Sequence, residues 1–178
     1  MTTLSSDYLR MIQSQHSLQG ADLALICHLA QVEGTPVENL LEKVQSWRFE
    51  QFLGFTLHLF ITTESPRVRV QLAKLLPKFG SSVVRSLVKI VYHFKPTSAV
   101  GKLAQKSLHH MPLKSLMIGL IPVFELDNVD AFMPIVRQEL TQRARYNGES
   151  VLLSLAEFFT SGNLAIARAH ALRKHSSY

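Results

Sequence analysis

The spacing of apolar residues constrains this chain more than any other feature. They recur at intervals of three and four almost throughout, while the strict alternation of a half-buried strand is scarce. That pattern predicts an all-α fold. Start and stop signals cut the chain into about nine or ten short helices. Thr35-Pro36-Val37-Glu38 is the clearest start, with Thr35 as cap, Pro36 in the first turn and Glu38 as capping-box partner. Ser65-Pro66 repeats it, and Gly80-Ser81-Ser82 reads as a stop followed by a new cap. Further breaks are expected at Lys95-Pro96-Thr97, Met111-Pro112, Asp127-Asn128, Asn147-Gly148 and Ser161-Gly162-Asn163. Helices of this length joined by short connections favour antiparallel neighbours, in a bundle or in stacked hairpins.

A chain of 178 residues is near the usual size of one domain, and one domain is the expectation here. Its 47% hydrophobic content is too high for a disordered tail and implies an extensive core or a docking surface. The single cysteine, Cys27, sits in the apolar run ADLALICHLA and reads as a small buried thiol in a reducing compartment. The first residues, MTTLSSDYLR, lack a basic segment followed by an apolar run, so the chain is read as cytoplasmic. Its longest apolar run, LMIGLIPVF, falls well short of the roughly 20 residues that cross a bilayer. No membrane span is expected.

Charge is distributed in blocks. Residues 1–64 carry a net −4, residues 65–124 carry ten Lys or Arg and no Asp or Glu, and residues 125–178 are neutral. Helical phase places Arg67, Lys74 and Lys78 on one face, Arg85 and Lys89 with His93 on the next, and Lys102 and Lys106 with His109 on a third. A helix face that merely meets water normally mixes Glu with Lys at i and i+4, which supports the helix. Here no acid relieves the repulsion, and a basic docking ridge is the expected reason.

An internal similarity gives the architecture. Shifting Val68–Phe94 forward by 31 positions sets Leu72 on Leu103, Ala73 on Ala104, Val88 on Gly119 and Ile90 on Ile121, each half reading helix, tight turn, helix. Within the first half, Pro66, Val68, Arg69, Leu72, Ala73, Leu75, Leu76 and Gly80, followed by Val83, Val84, Leu87 and Val88, resemble a HEAT repeat. In that family a Pro and a Val-Arg pair open the first helix, and a Gly-containing turn leads to a second helix rich in Val and Leu. The chain departs from the pattern at Pro77, which interrupts the end of the first helix, and in lacking an Asp or Asn near the turn. The resemblance implies a right-handed, armadillo-type α-solenoid of stacked antiparallel hairpins. Residues 1–64 would form an irregular N-terminal cap, 65–124 the basic repeats and 125–178 a C-terminal cap. It also implies that the second helix of each hairpin lines the concave side, making Arg85 and Lys89 the favoured groove residues.

No catalytic chemistry emerges from the sequence. The histidines are dispersed, and the adjacent pair His109-His110 points to different sides of a helix, so no metal site is expected. Gly-rich phosphate loops and nucleophile elbows are absent. The carboxylate pairs Glu38/Glu42 and Asp127/Asp130 sit at helix starts, where acids suit the macrodipole. Trp47, Phe49, Phe52, Phe55 and Phe60 read as core rather than as a stacking platform. The helix from Pro112 to Phe124 is apolar on nearly every side, and is either central to the fold or part of an interface.

The expectation is a non-enzymatic, cofactor-free adapter that docks an acidic protein surface through Arg67, Lys74, Lys78, Arg85, Lys89, Lys102 and Lys106. Non-specific nucleic-acid binding is the alternative, because the same cations would contact phosphates, as in the HEAT-like DNA glycosylases. A third alternative, resting on the resemblance alone, is a protein that handles bilins or phycobiliproteins, as the HEAT-like bilin lyases do.

Overall fold

The computed structural model describes residues 20–34 and 48–147. All regular structure among the described residues is helical. The elements are α1 (Gly20–Val32), α2 (Phe49–Thr62), α3 (Pro66–Leu75), a 3-10 segment (Leu76–Val83), α4 (Val84–Phe94), α5 (Ala99–His109), α6 (Leu113–Phe124) and α7 (Val129–Asn147). No helix among the described residues is long and apolar enough to cross a membrane. The expected start at Thr35-Pro36, the breaks at Asn147-Gly148 and Ser161-Gly162-Asn163, the pair Glu38/Glu42 and Trp47 lie outside the described residues.

Local sequence accounts for most boundaries. Ser65 caps α3, its hydroxyl accepting from the N–H of Val68 at 3.3 Å, with Pro66 in the first turn. Ser98 caps α5 in the same way, accepting from Gly101 N–H at 3.0 Å just after Lys95-Pro96-Thr97 has broken the chain. Met111-Pro112 separates α5 from α6, and Asp127-Asn128 separates α6 from α7. The turn at Gly80 departs from expectation. Instead of an open turn with a serine cap, the chain passes through the 3-10 segment, and α4 begins at Val84 without a side-chain cap. Gly80 reverses the direction there with φ +66° and ψ −148°, a conformation that requires glycine.

Helix α4 is the hub. Its stripe of Val84, Leu87, Val88, Ile90 and Val91 is buried against α5, α6, α7 and the 3-10 segment. On the other side of the 3-10 segment, α3 packs against α2, α5 and α1. Phe79 joins the two regions, its ring lying 5.7 Å from that of Phe49 and 5.8 Å from that of Phe52. Phe49, Phe52 and Phe60 are core residues, so their rings are spent on packing. Helix α6 buries Leu116, Gly119, Leu120 and Val123 and leaves Ile118 and Ile121 exposed, which makes it both a core helix and an apolar surface.

Two polar clamps tie this packing together. Asp22 of α1 accepts a charge-assisted bond from Lys78 Nζ at 2.7 Å. In α7, the buried Arg143 pairs through Nε with Glu139 Oε1 at 2.5 Å. Its other nitrogens donate to the carbonyls of Leu108 (2.6 Å), His109 (2.9 Å) and Met111 (2.9 Å). The carbonyls of Leu108 and His109 are the last of α5 and that of Met111 follows in the connection to α6. Although Leu108 also accepts from Met111 N–H at 3.1 Å, the guanidinium supplies further donors to this end and favours the helix dipole. Arg69 does the equivalent for α2, donating to the carbonyls of Phe60 and Thr63.

Gly119 is where α6 comes closest to its neighbours: a Cβ there would lie 2.3 Å from Val84 Cγ2 and 2.5 Å from the Ser81 carbonyl. Gly119→Ala is expected to cost about 1–3 kcal/mol, because the backbone must move apart. Gly54→Ala in α2, where a Cβ meets open space, should be neutral or stabilise by up to about 1 kcal/mol. Denaturant melts of the two variants check the contrast.

Burial pushes the Cys27 thiol from 9.0 up to about 11. A folded pKa above the unfolded value means that the neutral thiol's contribution is fully present below pH 9.0 and lost as pH rises through about 11. At neutral pH a chromogenic disulfide reagent should react slowly with the folded protein and rapidly once denaturant is added.

Candidate functional site

Pro77 sets up the site. Lacking an N–H, it cannot bond the carbonyl of Ala73 four residues back, so the end of α3 carries an acceptor without its helical donor. The donor arrives from α5. Ser107 Oγ lies 2.8 Å from the Ala73 carbonyl and 3.0 Å from that of Leu103, and the residue is buried. This contact holds α3 and α5 side by side, and between them opens a pocket of about 310 Å³.

Val70, Ala73 and Pro77 of the α3 side and Leu103 of the α5 side give the pocket an apolar lining. Lys74 contributes an ammonium from α3 and Lys106 another from α5; both residues are exposed and have no ion-pair partner among the described residues. His110 completes the rim. Its Nδ1 lies 2.7 Å from the Lys106 carbonyl, which can only accept, so Nδ1 carries the hydrogen and Nε2 of the neutral ring remains an acceptor. The Ser107 hydroxyl hydrogen is committed to the two carbonyls. The pocket therefore offers an apolar floor, two cations and one ring nitrogen.

The other residues expected to bind a partner are dispersed around this centre. Arg67 is exposed in the first turn of α3, Lys102 is exposed on α5, and Arg85 and Lys89 belong to α4 and do not line the pocket. Lys78 does not continue the face of Arg67 and Lys74, because α3 ends at Leu75 and the 3-10 geometry changes the phase; it pairs with Asp22 instead. His109 also leaves its expected group, with Nδ1 3.4 Å from Glu139 Oε1 and its ring 6.1 Å from that of Tyr146. His110 turns to the pocket, so the adjacent histidines do serve different sides of α5. The sequence names Lys74 and Lys106 among the expected partner-binding residues but not the pocket they both line, and it does not single out Val70, Leu103 or His110. The one local signal was Pro77, which announces an orphan carbonyl without revealing what satisfies it.

Among the described residues no group of three or more His, Cys, Asp or Glu could hold a metal ion. Asp127 and Asp130 are exposed at the start of α7. In comparisons with known proteins, no family model, curated protein or solved structure matches the chain.

Ser107→Ala is expected to destabilise the protein by about 1–3 kcal/mol, since it leaves the buried Ala73 carbonyl without a donor. Ser107→Thr keeps the hydroxyl and should recover part of that loss. Chemical denaturation of the two variants tests whether the hydroxyl, rather than packing, joins α3 to α5.

Proposed function

We propose that the chain is a non-enzymatic interaction module that docks an acidic surface of a partner protein. The observation that carries this reading is the pocket between α3 and α5, where an apolar lining meets Lys74 and Lys106, neither of which has an ion-pair partner among the described residues. Complementary charge would speed encounter and set orientation, while apolar contact supplies most of the affinity. Arg67, Lys102, Arg85 and Lys89 extend the positive field beyond the pocket. Lys78 contributes less, because Asp22 offsets its charge.

In this reading α3 to α6 form two stacked, HEAT-like hairpins within a short α-solenoid. The packing of α3 beside α5 and of α4 beside α6 supports the stacking of equivalent helices. Helix α4, however, packs most extensively on α5 and not on α3, so the pairing of α3 with α4 and of α5 with α6 as hairpins rests on the sequence resemblance. The contact face then includes the first helices of the hairpins, through Lys74 and Lys106, as well as the second helices favoured from sequence.

The test is capture of partners from a native lysate at low and high salt, by the wild-type chain and by a variant with Lys74, Lys106, Arg85 and Lys89 changed to Glu. Loss of an acidic partner at high salt and in the variant is expected. Retention of the principal partner by the charge-reversed protein would overturn the reading. So would tight binding of generic duplex or single-stranded DNA with a steep salt dependence, which would transfer the cations to phosphate recognition.

A further inference from the structure

Resting on that docking reading, we propose that the α3–α5 pocket seats one large apolar side chain of an acidic peptide segment, whose flanking carboxylates are held by Lys74 and Lys106. Three properties of the pocket select this occupant. Its lining, Val70, Ala73, Pro77 and Leu103, rewards an apolar group, and the Ser107 hydroxyl hydrogen is already used by two carbonyls, so the floor has no donor to offer a polar one. Its volume of about 310 Å³ lies at the lower end for ligand pockets, suited to a single leucyl or aromatic side chain with its adjoining backbone.

The third property is the chemistry of the rim. One ammonium comes from each helix, without an ion-pair partner among the described residues, which favours anionic groups on both sides of the anchor. With its Nδ1 hydrogen given to the Lys106 carbonyl, the neutral form of His110 presents Nε2 as an acceptor, and a peptide N–H supplies the matching donor. A simple fatty or aromatic carboxylate has no such donor and carries charge at one end only. An acidic peptide strand or helix end meets all three features at once. The pocket is also pre-formed: the bond from Ser107 to Ala73 fixes one wall to the other, and Arg143 holds the last turn of α5, from which Lys106 and His110 project.

Fluorescence anisotropy with the full chain tests the proposal. The probes are short labelled peptides with Leu, Phe or Trp placed between pairs of Glu, the same peptides with Ser at the centre, and versions with Lys for Glu. At least one apolar-centred peptide should bind roughly tenfold or more tightly than its Ser counterpart. Val70→Phe, which fills the pocket at constant charge, should reduce that peptide to the level of the Ser peptide. K74E/K106E should abolish binding of both, with circular dichroism unchanged, and the Lys peptides should not bind.

Equal affinity for apolar-centred and Ser-centred peptides, both lost on charge reversal, would overturn the anchor and leave acidic docking standing. No binding by any acidic peptide, or binding indifferent to K74E/K106E, would overturn the anchor and the docking face together. The comparison among peptides needs no protein variant, so it remains decisive even where Val70→Phe disturbs the fold.

Discussion

A single hydroxyl, that of Ser107, connects the backbone chemistry of α3 to the shape of the surface. Pro77 removes the N–H that would have satisfied the Ala73 carbonyl, and a buried unpaired carbonyl is costly. The contact from Ser107 meets that need from 34 residues away, and it can do so only with α5 lying along α3. The resulting apposition creates the pocket and brings Lys74 and Lys106 onto one rim. At the other side of α5, Arg143 performs a related task, donating to the carbonyls of Leu108 and His109 at the helix end and of Met111 just beyond it. Helix α5 is therefore fixed on both sides by polar groups answering backbone acceptors, within packing otherwise supplied by Leu, Val and Phe.

The acid-free block has a different meaning once the neighbours are in place. One of its charges is answered from outside, where Asp22 of α1 reaches Lys78; Glu139 of α7 pairs with Arg143, which lies beyond the block. Arg69 is occupied by the carbonyls that end α2, so that its charge serves a helix terminus. Among the described residues Lys74 and Lys106 form no ion pair, and neither do Arg67, Arg85, Lys89 and Lys102; what sets Lys74 and Lys106 apart is the apolar pocket they share.

How much of this was legible in the sequence follows from the range of each interaction. The starts of α3 and α5 depend on Ser65 and Ser98, whose partners lie three residues away, and the chain spacing alone exposes them. The all-helical character follows from apolar periodicity, which is also local. Gly80 was legible as a turn, but its 3-10 path was not, because the Ser81 and Ser82 hydroxyls competed with Pro77 and Phe79 packing as determinants of the next helix start. The pairs Ser107 with Ala73, Lys78 with Asp22, and Arg143 with Leu108 join residues more than 30 positions apart. No helical phase argument reaches that far, which is why Lys74 and Lys106 could be named from sequence while their shared pocket could not.

The division of labour at that pocket follows from the same physics. A rim lysine at an exposed position loses much of its Coulomb energy to water and salt, so Lys74 and Lys106 alone would give weak, undiscriminating attraction. The apolar floor changes this by excluding water from the seated group and bringing the carboxylates beside it to a fixed distance from the ammoniums. Neither element is sufficient: Val70, Ala73, Pro77 and Leu103 without the lysines would accept any greasy side chain, and the lysines without them any polyanion. Their combination on two helices held together by Ser107 converts a general excess of positive charge into a surface that can distinguish one acidic sequence from another.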